Sequence, residues 1–306
     1  MAVRTGPHLY LIDASIYIFR AWFSMSQDLV SRSGEPVNAL YGYSRFLVDL
    51  LQDPTITHLA VAFDECLTQS FRNDIYPEYK ANRELPPPEL EAQFQKCKSF
   101  TRACGVPVFA DHRFEADDLI GTIAHQMRGQ GFRHVIVSGD KDLIQVLDSD
   151  DALWDYGRDR WLEGVEVKKH WGITARQMTD YLGLVGDPVD NIPGVPGVGA
   201  KTAQGLLRDH LNLEQIYDRL DIIAGSTMRG AKRIAGLLRD HYDEAFLSRD
   251  LATIAVDAPL EVDAQTLRRI PPDVDQLTDL VRWMGIGQGL IERIMTTAGG
   301  EKRYTQ

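Results

Sequence analysis

Short apolar runs alternate with amphipathic stretches through the first half of the chain. Leucine and aromatic residues recur at helical spacing over 40–51, a second helix is expected at 116–127, and a third follows the prolines at 86–88 and runs to about 103. Strands that alternate with helices predict an α/β fold with a doubly wound, mostly parallel central sheet and flanking helices. Four apolar runs have the length of buried strands: 8–12, 58–63, 106–109 and 134–137.

From about residue 177 the pattern changes to helices separated by glycine turns, without clear strands. We therefore divide the chain into an α/β core over 1–174 and a helical region over 175–290. The remaining residues, 291–306, are expected to form a flexible tail.

Acidic residues stand where several of the predicted elements end or begin. Asp13 and Asp64 each follow a predicted strand directly, and the carboxyl ends of parallel strands share one edge of a sheet. Each acid also has a structural alternative, such as a helix N-cap for Asp118 or a solvated turn for Gly-Asp-Lys-Asp. The acidic clusters contain Asp13, Asp64, Glu115, Asp117, Asp118, Asp140, Asp142, Asp187 and Asp190.

Crowded carboxylates repel one another, so a cation must neutralise them or their pKa values must rise. Oxygen ligands select hard ions such as Mg²⁺ or Mn²⁺, and no His or Cys lies within the clusters to indicate zinc. This many carboxylates exceeds the needs of one magnesium ion and fits a pair of ions about 4 Å apart. The residues alone therefore indicate a two-metal phosphodiesterase or phosphatase.

The formal net charge of −11 is unusual for a nucleic-acid-binding protein, which generally carries a basic surface. Removing the nine clustered acids leaves −2, so the rest of the chain is nearly balanced and DNA is not excluded. The three cysteines have no C-x-x-C spacing, and no apolar stretch reaches membrane-spanning length. These features indicate reduced thiols and a cytoplasmic location.

The glycine-rich stretch 191–202 nearly matches a phosphate-binding loop. Gly194 and Gly199 have the required spacing, but Ala200 replaces the lysine, and the preceding segment is polar and contains Pro188. A P-loop ATPase is therefore a distant alternative. A tight turn between two helices fits better, with backbone amides exposed to a DNA phosphate where helix 201–207 begins. A glycine C-cap between packed helices is the structural alternative.

A set of short motifs spans positions 11 to 202. In chain order they are Leu11-Ile12-Asp13, Ser33 to Val37 with Tyr41-Gly42, Ala62-Phe63-Asp64, Ser70-Phe71-Arg72, Tyr79 to Arg83, Phe114 to Asp118, Gly139 to Asp142, and Gly186 to Val195. The ordered set resembles the flap endonuclease and 5′→3′ exonuclease family, most closely the 5′-nuclease domain of bacterial DNA polymerase I and its stand-alone relatives. The resemblance implies a helical arch at about 68–88 and a helix-hairpin-helix-type DNA-binding motif with its turn at 191–202.

The resemblance also implies two groups of metal ligands. Lys80 and Arg83 of the arch would face the scissile phosphate and share catalysis with the ligands Asp13 and Asp142, while Asp118 would lie in an outer shell. For Lys80 and Arg83 a solvated helix face is the structural alternative. The first ion would be held by Asp13, Asp64, Glu115 and Asp117, and the second by Asp140, Asp142, Asp187 and Asp190, directly or through water.

DNA contacts are implied at the arch and at the glycine turn. Tyr76 or Tyr79 would stack on a base, and the turn 194–199 would grip the duplex and bind a monovalent cation, K⁺, through backbone carbonyls. The range 201–240 carries seven Lys or Arg against five acids, which suits this contact. The implied DNA-binding residues are Arg72, Tyr76, Tyr79, Lys80, Arg83, Gly194, Gly197, Gly199, Lys201 and Thr202.

The expected function is that of a structure-specific 5′ nuclease in replication and repair. It would act as a monomer, without a membrane, on DNA with 5′ flaps, 5′ overhangs or nicks, and it would be a stand-alone enzyme because polymerase motifs are missing. The sequence does not specify a polymerase or ligase partner. Two alternatives stay open: a branched-DNA-binding scaffold of weak activity, and an RNA-directed nuclease.

Overall fold

The computed structural model describes residues 7–66 and 69–297, which divide into two compact units. The first, here called the α/β unit, comprises the described residues of 1–65, 85–139 and 256–306. The second, the helical unit, comprises those of 66–84 and 140–255. Neither unit is one continuous stretch, whereas the sequence pattern divides the chain at a single point, because a linear pattern cannot register contacts between distant segments.

Strands and helices alternate in the first part of the chain and helices dominate the second. The strands are β1 (His8–Asp13), β2 (His58–Asp64), β3 (Val108–Asp111), β4 (Arg133–Val137), β5 (Ala152–Asp155) and β6 (Arg160–Glu163). The helices are α1 (Ala14–Ser24), α2 (Asn38–Leu50), α3 (Phe71–Ile75), α4 (Pro88–Ala103), α5 (Ala116–Met127), α6 (Val167–Trp171), α7 (Met178–Val185), α8 (Ala200–Asp209), α9 (Leu213–Asp218), α10 (Leu220–Ala224), α11 (Ala231–Asp240), α12 (Tyr242–Ala252), α13 (Val274–Met284) and α14 (Gln288–Thr297).

The α/β unit contains a parallel sheet in the order β3-β2-β1-β4. Leu11 of β1 lies opposite Ala60 of β2 and Ile136 of β4, and the side chain of Leu11 has no exposed surface. α5 packs against β1, β2 and β3, and α1 packs against β2. Strands covered in this way contain continuous apolar runs, which is why the sequence predicted them as buried and parallel. The predicted doubly wound, mostly parallel α/β architecture is confirmed.

Strand β3 begins two residues later than the sequence pattern indicates. Gly105 takes a left-handed conformation (φ 74°), and the Val106 N–H donates to the carbonyl of Thr101 at 3.3 Å. Val106 therefore still belongs to the turn that ends α4, although its apolar side chain extends the strand-like run in the sequence.

The helical unit contains a β-hairpin that the sequence pattern did not predict. Strands β5 and β6 pair antiparallel around the left-handed residue Asp159, with Trp154 opposite Trp161. The two indole rings stack with centroids 4.6 Å apart. Charged residues in both strands hide the alternation on which strand prediction depends, and the stacked tryptophans stabilise the pairing instead.

The predicted arch is largely turns, and the predicted tail is partly helical. Within 68–88 the helix α3 covers five residues and turns occupy 77–82. α14 extends to Thr297, because Leu290 and Ile294 are buried and Arg293 pairs with Asp49. The expected flexible tail therefore does not begin at 291, and its part at 298–306 lies outside the described residues.

In the part of the chain that the structure describes, no helix is both long enough and apolar enough to span a bilayer.

Two helical glycines offer a test of the packing of α1 against α2. A Cβ on Gly42 of α2 would lie 2.6 Å from the Cβ of Ala21, whereas a Cβ on Gly205 of α8 would meet nothing within 4 Å. We expect Gly42→Ala to lower the free energy of unfolding, since overpacking costs ~1–3 kcal/mol and outweighs the helix-propensity gain of up to ~1 kcal/mol. Gly205→Ala should instead raise it by ~0.5–1 kcal/mol. Urea unfolding measures both, and stabilisation by Gly42→Ala would contradict the close packing of α1 and α2.

Candidate metal and nucleic-acid site

Asp13 links the end of β1 to the start of α1. It is the last residue of the strand and the N-cap of the helix, where its carboxylate accepts the Ser15 N–H at 3.1 Å. The Ser138 hydroxyl, just after β4, donates to the other carboxylate oxygen at 3.0 Å. These contacts fix the buried carboxylate at the carboxyl end of the sheet. Ser15 and Ser138 were not among the predicted site residues, although both flank motif acids in the sequence.

Asp64 connects the ends of β1 and β2 to the start of α5. Its N–H donates to the Ser15 hydroxyl at 3.3 Å, and its carboxylate accepts the Ala116 N–H at 2.8 Å. Asp13 and Asp64 therefore share Ser15 as a neighbour, and Asp64 is tied to the residue next to Glu115. The structure thus brings three of the predicted ligands of the first ion, Asp13, Asp64 and Glu115, to one edge of the sheet.

The acids at the start of α5 divide into two kinds. Glu115 is the N-cap, and the carboxylate of Asp118 accepts the Glu115 N–H at 3.0 Å, so the pair forms a capping box. Asp118 is fully buried and acts as a helix-capping residue. Asp117 is half-buried in the first helical turn, where the helix dipole favours an acid. Glu115 and Asp117 therefore fit a metal-binding role better than Asp118 does.

The helical unit holds the other four acids in two short loops. The Asp140 carboxylate accepts the Asp142 N–H at 2.8 Å. The Asp187 carboxylate accepts the Val189 N–H at 2.8 Å and the Lys141 ammonium at 3.0 Å. Asp187 and Ile192 also exchange backbone hydrogen bonds of 3.0 and 2.8 Å, which close the loop around Asp190.

Asp142 carries the electrostatic signature of a crowded acidic site. Burial and then the negative charges of Asp140, Asp187 and Asp190 raise its pKa to about 7, against the opposing effect of Lys141. Its Oδ1 atom is buried and accepts no hydrogen bond within the described residues; the Lys141 ammonium lies 4.0 Å away. The sequence predicted this grouping of Asp140, Asp142, Asp187 and Asp190, and the structure brings the four together.

The predicted arch cations contact a predicted metal ligand. The Lys80 ammonium lies 3.7 Å from the Asp190 carboxylate, the Arg83 guanidinium forms an ion pair with it, and the Lys80 N–H donates to the Asp190 carbonyl at 3.0 Å. The Asn82 amide donates to the carbonyl of Pro188 at 2.9 Å. Segment 78–83 therefore lies along the 187–191 loop. Lys80 and Arg83 stand in a turn and a bend, so the alternative of a solvated helix face does not describe them.

Arg72 and Tyr79 are buried, so the structure does not support the DNA contacts expected of them. The Arg72 guanidinium donates to the carbonyls of Leu251 at 2.7 Å and Thr253 at 2.8 Å, beyond the reach of a phosphate. Tyr79 is 4% exposed, so its ring cannot stack on a base in this conformation. Tyr76 is half-buried, and its hydroxyl donates to Glu78 at 3.0 Å, which raises the pKa of Tyr76.

The glycine turn is exposed at one end only. The Gly194 N–H donates to the buried Ser248 hydroxyl at 2.8 Å, so this amide is unavailable to a phosphate. Gly197 and Gly199 are exposed, and Gly199 is the N-cap of α8. Lys201 is exposed and Thr202 half-buried in the first turn of that helix. The expected tight turn between two helices is present between α7 and α8, with its accessible part at 197–202.

A divalent ion fits the donor chemistry of both acidic groups. The donors are carboxylate oxygens, which are the ligands that divalent ions such as Mg²⁺ prefer. The buried Oδ1 atom of Asp142 accepts no hydrogen bond from the described residues, so a cation there would stabilise it. Across 7–66 and 69–297, however, no three His, Cys, Asp or Glu side chains stand ready to hold an ion as they are. The carboxylates instead contact amides, hydroxyls and the cations of Lys80, Arg83 and Lys141. Metal binding therefore requires some of these side chains to change rotamer.

Two family models match adjacent parts of the chain. The one described as 5′-3′ exonuclease, N-terminal resolvase-like domain, matches residues 8–172, and the one described as 5′-3′ exonuclease, C-terminal SAM fold, matches residues 173–275. The chain belongs to the 5′-3′ exonuclease family. The nuclease family inferred from the ordered motifs is thereby confirmed.

Relatives of this 5′-3′ exonuclease family member include DNA polymerase I proteins. The chain is 36% identical over 289 residues to DNA polymerase I of Rhizobium leguminosarum, which covers 92% of this chain and 28% of that protein. The chain spans about a third or less of the curated relatives it matches.

Solved structures share the fold of this 5′-3′ exonuclease family member at low sequence identity. T5 5′-exonuclease with bound zinc ions is 20% identical with a TM-score of 0.65, over 95% of this chain and 98% of that one. The catalytic core of Rad2 in complex with DNA substrate is 14% identical with a TM-score of 0.62, over 96% and 93%.

The contacts of Arg72 predict a structural effect on substitution. Arg72→Met keeps the apolar stem but leaves the carbonyls of Leu251 and Thr253 without their charged donor, which should lower the free energy of unfolding by ~2–4 kcal/mol. Arg83→Met, in the same segment but 47% exposed at its side chain, should cost about 1 kcal/mol or less. Urea unfolding compares the two. An equal, small effect of both substitutions would show that Arg72 is not the anchor of its segment.

The raised pKa of Asp142 predicts a pH-dependent stability in EDTA. Between the ordinary aspartate pKa of 3.8 and about 7, the folded state binds more protons than the unfolded state, so the free energy of unfolding falls as pH rises. Asp142→Asn removes this titration. Its stability relative to wild type should therefore increase from pH 4 to pH 7, on the order of a few kcal/mol, and then level off. Thermal melts across this range, with the exposed Asp279→Asn as control, check the prediction; a difference independent of pH contradicts it.

Proposed function

We propose that the chain is a structure-specific 5′ nuclease that hydrolyses DNA phosphodiester bonds with two divalent ions, Mg²⁺ or Mn²⁺. The observation that carries the proposal is the group of Asp140, Asp142, Asp187 and Asp190 in a member of the 5′-3′ exonuclease family, where burial and the neighbouring negative charges raise the pKa of Asp142 to about 7. Such crowding is costly in a folded protein unless a cation binds there during function.

The two acidic groups would hold one ion each. One would be bound by Asp13, Asp64, Glu115 and Asp117, and the other by Asp140, Asp142, Asp187 and Asp190. When bound, such ions supply an activated water and neutralise charge on the attacking and leaving oxygens. Asp118 stays in its capping role and supports the placement of Glu115 through the backbone.

Lys80 and Arg83 are proposed to transfer from Asp190 to the substrate phosphate. Both cations already contact one anionic oxygen pair, and a phosphate presents the same charge and acceptor chemistry. Their ion pairs with Asp190 hold them near the acidic group before DNA binds, and afterwards they would stabilise charge on the phosphoryl oxygens.

Duplex DNA is proposed to contact the exposed end of the glycine turn. Gly197, Gly199, Lys201 and Thr202 are accessible there, and a K⁺ ion bound through carbonyls of the 194–199 turn would add positive charge against the DNA backbone. We propose 5′ flaps, 5′ overhangs and nicks as substrates, in replication and repair, for a monomeric cytoplasmic enzyme. The three cysteines, Cys66, Cys97 and Cys104, are buried, which is compatible with that compartment.

Cleavage of a 5′-labelled flap duplex tests this function. Wild type in Mg²⁺ should cut near the junction, and EDTA should abolish cutting because the carboxylates alone supply no activated water. Asp142→Asn should reduce the rate roughly 100-fold or more while flap binding persists. Asp279→Asn, an exposed aspartate outside the acidic groups, should cut like wild type.

Three outcomes would change the assignment. Binding by wild type without cutting in Mg²⁺ or Mn²⁺ would favour a branched-DNA scaffold. Faster cutting of an RNA flap than of a matched DNA flap would favour an RNA-directed nuclease. Normal cutting by Asp142→Asn would contradict the second metal group.

A further inference from the structure

Two helices of the helical unit begin with nearly the same sequence. Residues 199–210 read Gly-Ala-Lys-Thr-Ala-Gln-Gly-Leu-Leu-Arg-Asp-His, and residues 230–241 read Gly-Ala-Lys-Arg-Ile-Ala-Gly-Leu-Leu-Arg-Asp-His. Nine of the twelve positions are identical, at a constant offset of 31 residues. The motifs described above do not include this repeat. The first copy follows the glycine turn, whereas the second has no role in the function proposed so far.

The two copies also have the same local structure. α8 begins after Gly199 and α11 begins after Gly230. Each helix ends at a histidine whose N–H donates to the carbonyl of the equivalent leucine, Leu206 or Leu237. Two matched pairs also agree in burial: Lys201 and Lys232 are exposed, and Leu207 and Leu238 are buried. The repeat therefore presents two similar lysine-bearing helix faces to solvent.

The second copy carries positive charge that no acid of the described chain neutralises. Arg229, Lys232 and Arg233 are exposed, and none of them forms an ion pair with any residue of 7–66 or 69–297. Arg239 of the same helix differs, because its guanidinium lies 3.1 Å from the Asp221 carboxylate. Three exposed cations without acidic partners among the described residues give this surface a local positive charge on a protein of net charge −11, which suits an anionic ligand.

Arg233 of the second copy lies next to the glycine turn that precedes the first copy. Its Nη1 atom lies 3.3 Å from the position that a Cβ on Gly197 would occupy, and the Leu237 side chain lies 3.1 Å from the same position. Arg233 takes the place of Thr202 in the repeat. The change from threonine to arginine therefore puts a guanidinium beside the exposed part of the turn.

A cleft with cationic and hydroxyl-bearing residues in its lining continues this surface between the two copies. It has a volume of about 650 Å³, and its lining includes Lys201, Arg208 and Arg229 together with the hydroxyl groups of Thr202 and Thr227. Asp209 also lines the cleft, 3.5 Å from Arg208. Cations interleaved with hydroxyl donors suit phosphate oxygens, which accept hydrogen bonds from both.

We propose that Arg229, Lys232 and Arg233 form a second contact with the phosphate backbone of duplex DNA, beside the contact assigned to the glycine turn. This inference rests on the proposed function, since it assumes that DNA lies against the turn. The second copy would lengthen the surface that contacts the duplex and would increase the affinity for DNA. This added affinity would not depend on base sequence, because the cations would contact phosphates.

Salt-dependent binding of a 5′-flap duplex to the full chain tests the proposal. Fluorescence anisotropy in EDTA, across a range of KCl concentrations, gives the slope of log affinity against log salt. Arg233→Gln should reduce the magnitude of that slope by ~0.9 and weaken binding roughly eightfold at ~0.1 M salt, as expected for one lost phosphate contact. The double variant with Arg229→Gln and Arg233→Gln should reduce the slope about twice as much. Arg233→Lys keeps the charge and should preserve the slope.

Arg239→Gln is the matched control. It makes the same change of charge on the same helix, at a position already paired with Asp221, and should leave the slope unchanged. Two duplexes of unrelated sequence should show the same loss with Arg233→Gln. If wild type binds the flap duplex and Arg233→Gln behaves like Arg239→Gln, the second contact is refuted while the proposed function stands. If wild type does not bind the duplex, the proposed function itself fails.

Discussion

Repulsion among carboxylates is the constraint around which the functional part of this protein is organised. Four acids of the helical unit, Asp140, Asp142, Asp187 and Asp190, lie close enough for three of them to shift the titration of the fourth. The fold tolerates this group because Lys141, Lys80 and Arg83 provide positive charge within it. These cations do not fully offset the burial and repulsion that raise the pKa of Asp142. A divalent ion bound there would stabilise the ionised carboxylate.

Neutral donors help to hold the acids of the α/β unit in place. Asp13 accepts a backbone amide and the Ser138 hydroxyl, and Asp64 accepts the amide of Ala116. Glu115 and Asp118 close a capping box at the start of α5. These interactions place the acids at the carboxyl end of the sheet and satisfy part of their hydrogen-bonding capacity.

Charged side chains in the helical unit both stabilise the fold and suit the binding of a charged ligand. Segment 78–83 lies along the 187–191 loop because its cations and amides bind that loop, and the same cations suit a phosphate. Farther along the chain, the repeated helix starts expose lysines and arginines that the fold leaves unpaired. The net charge of −11 conceals this separation, because the acids are concentrated where metal binding is proposed and several cations where DNA binding is proposed.

Sequence by itself located three strands of the parallel sheet and the acidic residues that the structure groups together. Apolar runs located β1, β2 and β4 to within a residue, since a buried parallel strand requires a continuous apolar stretch. Ordered motifs identified the family. Sequence missed the hairpin of β5 and β6, whose stability comes from cross-strand stacking of Trp154 on Trp161, and it left the repeated helix start unrecognised as a surface feature.

Tertiary structure alone decided which side chains are available for function. Arg72 belongs to the same ordered motifs as Arg83, yet Arg72 is buried on the carbonyls of Leu251 and Thr253 whereas Arg83 is exposed beside Asp190. Gly194 and Gly199 belong to one turn, but a contact with Ser248 occupies the Gly194 amide. The partners of Arg72 and Gly194 lie 54 or more residues away in the chain, and local sequence patterns carry no information about contacts at that separation.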